Sequence, residues 1–132
     1  RDRDSYFGFG WTHNSDKPGI WSDGSISTLL FRTEKNHLDL KLEIFCNPYI
    51  TKKNKILELD IYVNNSFNKK MKFTNNNQDE KIDILIKKEL VKDNVIKIDF
   101  NFKNPVSPYE VFESPDSRKL GMLIKNIEIN SI

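Results

Sequence analysis

Four stretches of this 132-residue chain alternate apolar and polar side chains with a period of two. Leu38, Leu40, Leu42, Ile44 and Cys46 are interleaved with Asp39, Lys41, Glu43 and Phe45. Leu57, Leu59, Ile61 and Val63 are interleaved with Glu58, Asp60 and Tyr62. Ile82, Ile84 and Ile86 form a third set, and Ile96, Ile98, Phe100 and Phe102 alternate with Lys97, Asp99 and Asn101 in a fourth. Successive side chains of an extended strand point to opposite faces, so each stretch offers one apolar face to a core and one polar face to water. A helix would scatter the same residues around its circumference.

The rest of the chain is consistent with that reading. Residues 6–11, aromatic and glycine-rich, predict a first strand with bulges at Gly8 and Gly10, and 12–19 predict an exposed loop. Ile20 and Trp21 lead into a turn at Ser22-Asp23-Gly24, followed by a strand over 26–32. Asn47-Pro48 is expected to stop the first alternating strand, and Asn64-Asn65 to make a tight hairpin turn into a partner strand over 67–73. Asn75, Asn76 and Asn77 form another loop, and 87–94 reads as a polar loop in preference to a single helical turn. The chain contains no alanine and many asparagine and β-branched residues, which favours strands and turns over long helices. These features predict an all-β fold, an antiparallel two-sheet β-sandwich with little or no helix, in a single domain over 1–132. Arg1 in place of an initiator methionine, with no signal-peptide pattern after it, suggests a domain cut from a longer protein.

Several function classes are disfavoured. The 21 basic and 19 acidic residues give a net charge of +2, too balanced for a domain built mainly to hold nucleic acid. No apolar run is long enough for direct membrane insertion. Cys46 is the only cysteine, which leaves no internal disulfide and no cysteine-based zinc site, and its strand position predicts a buried, inert thiol. His13 and His37 have no partner at metal-ligand spacing, and no nucleophile elbow, phosphate-binding loop or dinucleotide fingerprint occurs. No cofactor, resident metal or catalytic residue is therefore expected. The pairs Lys52-Lys53, Lys69-Lys70 and Lys87-Lys88 are spread over different turns and read as solvated surface.

The richest chemistry lies in 104–129. Pro105, Pro108 and Pro115 exclude helix, Asp116-Ser117-Arg118-Lys119 forms a charged knot, and an apolar strand runs from 120 to 129. Asp116 and Arg118 can bind a ligand hydroxyl or phosphate, or can pair with Glu110, Glu113 or the loop around Asp23 and pin the connection to the sheet. Glu110 and Asp116 could serve as an acid/base pair, but Arg118 nearby would keep both ionised, which is wrong for a general acid. Trp11 and Trp21, on either side of a polar loop, either stack on sugar faces or cover the ends of the core. Asp16 and Asp23-Gly24 are a weak calcium signal, without the closely spaced oxygen ligands of a dedicated loop.

Two segments carry a resemblance. The first holds Gly10-Trp11, Gly19-Ile20-Trp21, Ser22 and Gly24 and closes in a strand to Phe31; the second holds Ser107-Pro108, Glu110, Ser114, Asp116, Arg118, Leu120-Gly121 and Ile127. Val63-Asn64 stands between them at a turn where relatives carry Gly in place of Asn65. The pattern, spanning 10–129, resembles jelly-roll-like β-sandwich domains appended to bacterial proteins that build surface polysaccharides, among them capsule and lipopolysaccharide glycosyltransferases and phosphoglycerol-transferase-like proteins. Relatives usually hold an acid between the two aromatic positions, where Asp16 is the nearest candidate, and Pro115 departs from the pattern. The resemblance implies a non-catalytic accessory domain; by analogy with sandwiches that carry rim aromatics its expected partner is a glycan, and the residues read above give Trp11, Trp21, Asp23, Glu110, Asp116 and Arg118 as the ligand-binding set. The alternative is a structural or docking module that packs against other domains of the parent enzyme. A reduced Cys46 and the implied parent place it on the cytoplasmic side, associated with the inner membrane only through that parent, with the periplasmic side left open.

Overall fold

The computed structural model describes residues 7–13, 19–33, 38–74, 79–110 and 115–132. Within them the chain forms nine strands: β1 (Trp11–His13), β2 (Ile20–Asp23), β3 (Ile26–Arg32), β4 (Leu40–Pro48), β5 (Leu57–Val63), β6 (Ser66–Phe73), β7 (Glu80–Ile86), β8 (Val95–Phe102) and β9 (Leu120–Ser131). They build two sheets, one in the order β1-β2-β9-β4-β7 and the other β3-β8-β5-β6. Every strand pairing is antiparallel. The expected two-sheet β-sandwich is the fold observed.

The alternating stretches account for its stability. Burial alternates without a break along β4, where Leu40, Leu42, Ile44 and Cys46 face inward. Ile82, Ile84 and Ile86 join them on the inner face of the five-stranded sheet, against Leu57, Leu59, Ile61, Ile96, Ile98, Phe100 and Phe102 of the other. Nearly all are at most 2% exposed, so burial of branched aliphatic and aromatic surface dominates the folding free energy. Cys46 is buried among them, and its thiol is pushed up to about 12 by burial first and by Glu80 and Asp79 second. The hairpin between β5 and β6 turns on Asn64 (φ 46°) and Asn65 (φ 70°), the left-handed pair expected there.

Some expectations are corrected. Residues 7–9 do not form a bulged strand with Trp11. Gly8 N–H donates to Thr28 O and Thr28 N–H to Phe9 O, so this segment lines the edge of β3, and only 11–13 form β1, on the other sheet. The switch occurs at Gly10 (φ 88°), where a side chain would strike Ile26 O at 2.2 Å. Thr12 therefore lies in a strand rather than in a loop; residues 14–18 and the expected loop at Asn75, Asn76 and Asn77 lie outside the described residues. Leu38 is 52% exposed and precedes β4, while Asn47 and Pro48 complete that strand by pairing with β9. The expected polar loop at 87–94 contains one 3-10 turn, Lys88–Leu90, and a left-handed pair, Asp93 and Asn94, that leads into β8.

Candidate functional site

The end of β2, the start of β9 and the connection from β8 to β9 meet at one end of the sandwich, and they bring together four of the six residues singled out from sequence. Asp23 closes β2. Its Oδ1 accepts the backbone N–H of Lys119 at 2.9 Å and its Oδ2 the Thr12 hydroxyl at 2.9 Å. Gly24 (φ 100°) then turns the chain, its N–H donating to Lys119 O at 2.8 Å.

The β8–β9 connection is held in shape by its own polar groups. Ser107 N–H donates to Glu110 Oε1 at 3.0 Å, and Glu110 N–H donates back to Ser107 Oγ at 3.1 Å. Tyr109 N–H donates to Asp116 O at 2.8 Å. Arg118 grips Asp116 two residues before it: Nε lies 3.0 Å from both carboxylate oxygens and Nη2 lies 2.6 Å from Oδ2. Lys119 forms an ion pair with Glu110. Glu113 and Ser114 lie outside the described residues, as does Asp16.

These contacts fix the protonation states. The Asp116 carboxyl is held below the ordinary carboxylate range, first by the Arg118 side chain and then by its backbone N–H. Glu110 is likewise lowered, mainly by Lys119 and then by the Ser107 N–H. Arg118 is pushed upward by Asp116, with a smaller contribution from Asp23. Both carboxylates are thus anions at neutral pH, the direction expected for acids beside fixed cations. Among the described residues no three His, Cys, Asp or Glu side chains group as a metal site, and Asp23 spends its oxygens on Thr12 and Lys119. His37 lies outside the described residues.

The two tryptophans have different surroundings. Trp11 lies partly buried against the core, its ring edge-to-face with Phe7 (4.9 Å between centroids) and Phe100 (6.1 Å), its indole N–H donated to Thr28 O at 2.8 Å. Trp21 is half-buried on the outer face of the five-stranded sheet, between Thr12 and Leu123 in register. Its ring meets Tyr49 edge-to-face, 5.9 Å between centroids at 87°. Tyr49 was not singled out from sequence; the available signal was an aromatic residue just past Asn47-Pro48, where the pattern of β4 ends. Lys119, which joins Asp23 to Glu110, was legible only as part of a charged knot.

Neither a protein-family model nor a curated protein matches the sequence. Solved structures do match its fold. The CBM36-1 domain of a multidomain xylanase from the hindgut metagenome of Trinervitermes trinervoides aligns over 97% of this chain and 91% of its own, at 9% identity and a TM-score of 0.56. The cycloalternan-forming enzyme of Listeria monocytogenes, solved in complex with a pentasaccharide substrate, aligns over 96% of this chain but 11% of its own, at 14% identity and a TM-score of 0.55. At such identities the likeness is one of fold. These two matches do not carry the link to surface-polysaccharide glycosyltransferases that the sequence resemblance implied.

Proposed function

We propose that this chain is a non-catalytic carbohydrate-binding domain of a larger glycan-active protein. The observation that carries the reading is Trp21: a half-buried indole, braced by Tyr49, on the outer face of β2 two residues before Asp23, which Lys119 ties to Glu110. An aromatic face beside fixed hydrogen-bonding groups suits a pyranose, whose C–H surface stacks while its hydroxyls are read laterally. Trp11 packs against the core beside Phe7 and Phe100 and takes no part in the site. The fold supports the same reading, since a sandwich of this kind forms the CBM36-1 domain of a xylanase and a segment of an enzyme that takes a pentasaccharide. A non-catalytic role is supported by Glu110 and Asp116, both lowered by neighbouring donors and cations, whereas a glycosidase needs one carboxyl raised. We further infer a parent protein of bacterial capsule or lipopolysaccharide synthesis on the cytoplasmic side of the envelope; this inference rests on the two resembling segments.

The docking alternative has one observation in its favour: Tyr109, on the same connection, is 64% exposed. Native affinity electrophoresis separates the two readings. Retardation of the wild-type domain in gels containing xylan, dextran or a bacterial surface polysaccharide, lost in Trp21→Ala and kept in Tyr109→Ala, is the expected result. Unretarded migration in all three gels would contradict glycan binding.

A further inference from the structure

The four-stranded sheet also has an outer face, and its residues stand in rows fixed by register. Thr28, Asp99, Tyr62 and Phe67 form one row across β3, β8, β5 and β6. Ile26, Asn101, Asp60 and Lys70 form the next. Two features of this face are unusual for a solvated sheet. Phe67 is 59% exposed, held by an edge-to-face contact with Tyr62 at 5.8 Å between centroids and 77°. Beside it Asp60 is only 8% exposed although it points away from the core. Its Oδ2 is paired with Lys103 Nζ at 2.9 Å, but among the described residues its Oδ1 has no hydrogen-bond partner, and the Lys70 ammonium stands 4.0 Å off. A buried carboxylate oxygen is stabilised by a donor, and a Lys70 rotamer, a water or a ligand hydroxyl can each supply one here.

The neighbouring acid Asp99 is already partnered. Lys97 pairs with Asp99, which also accepts the Thr28 hydroxyl, and Glu58 stands opposite Lys72 in register. A face on which Asp60 and Asp99 are paired internally, with an exposed ring, a carboxylate oxygen open to a closer donor and an adjacent amide at Asn101, is suited to an uncharged chain rich in hydroxyls and C–H surface. We infer that the outer face of the four-stranded sheet is a second glycan-binding surface, selective for neutral oligosaccharides, in which Phe67 stacks on a pyranose and Asp60 Oδ1 accepts a sugar hydroxyl as the Lys70 side chain swings aside. The inference rests on the carbohydrate-binding reading above but concerns a different sheet, remote in sequence from Trp21.

The test is amide chemical-shift mapping of the whole domain titrated separately with xylohexaose, cellohexaose and isomaltohexaose, with an acidic galacturonate oligomer as contrast. The expected result is saturable shifts at Tyr62, Phe67, Lys70 and Asn101 with at least one neutral hexasaccharide and none with the acidic oligomer. Phe67→Ala, on an exposed side chain, and Asn101→Ala should each weaken that site about tenfold while leaving shifts around Trp21 unchanged. Shifts confined to 20–24 and 107–120 would overturn this inference and leave the first site standing. No shifts with any neutral probe would overturn both. Concentration-dependent shifts at Phe67 without sugar would assign the face to self-association and would also overturn it.

Discussion

Ser22 is fully buried, and its Oγ accepts the N–H groups of Gly121 (3.0 Å) and Met122 (2.8 Å) where β9 bulges against β2. The bulge places Trp21 and Asp23 opposite Leu123 and Leu120, and so sets the spacing of the candidate site. Ser22→Ala leaves two buried donors unsatisfied, and a loss of about 2 kcal/mol or more is expected in chemical denaturation. A change within a few tenths would show that water or a shifted backbone can replace the hydroxyl. The role of Ser22 was not legible in sequence, where the residue reads as the first position of a turn. Its partners lie 99 and 100 residues away, and nothing local announces a hydroxyl that serves a distant strand. Asn64 shows the contrast. Its left-handed turn was readable from Asn-Asn, yet its side chain also donates to Leu90 O (2.7 Å) and Val95 O (3.1 Å) and accepts Lys97 N–H (2.7 Å), contacts that only the fold reveals.

At the scale of elements, β4, β5, β7 and β8 were legible because each buries one face and shows the other to water, which imprints a period of two. β1 was misplaced because Phe7, Phe9 and Trp11 share aromatic character while serving different sheets, and Gly10 marks the crossing without saying which sheet follows. The β8–β9 connection was legible in composition but not in pairing. Its ion pairs give it a pH dependence of definite sign. Asp116 and Glu110 both have lowered folded values, so the ties they make are complete above the ordinary carboxylate range and are lost as pH falls through the lowered values. The backbone amide of Tyr109, which donates to Asp116 O, is expected to be protected at neutral pH and to lose protection as pH falls through the lowered carboxylate values. Hydrogen exchange corrected for intrinsic rates reads this directly, and Asp116→Asn should remove most of the change at Tyr109. Protection independent of pH in the wild type would show that the backbone alone holds the connection.

Taken as a whole, the molecule divides its labour between interior and ends. The two sheets close against each other along β6 and β7, where Asn68 Nδ2 donates to Leu85 O at 3.2 Å and Lys69 Nζ to Asp83 O, so the core is sealed on that side by side chains reaching from one sheet edge to the other. With stability supplied by the interior, the connection carrying Glu110, Asp116 and Arg118 and the outer face carrying Trp21 are free to vary, as binding surfaces on rigid scaffolds generally are. The composition and period of the chain disclose the scaffold; its ligand depends on surfaces that leave no periodic mark. The central claim is that Trp21, and not Trp11, faces a glycan, and intrinsic fluorescence tests it most directly. Wild type, Trp11→Phe and Trp21→Phe would be titrated with xylan, dextran and bacterial surface-polysaccharide fragments. The account predicts a saturable emission shift in wild type that persists in Trp11→Phe and vanishes in Trp21→Phe. An emission that no glycan moves in the folded wild-type protein, or a shift that follows Trp11, would contradict it.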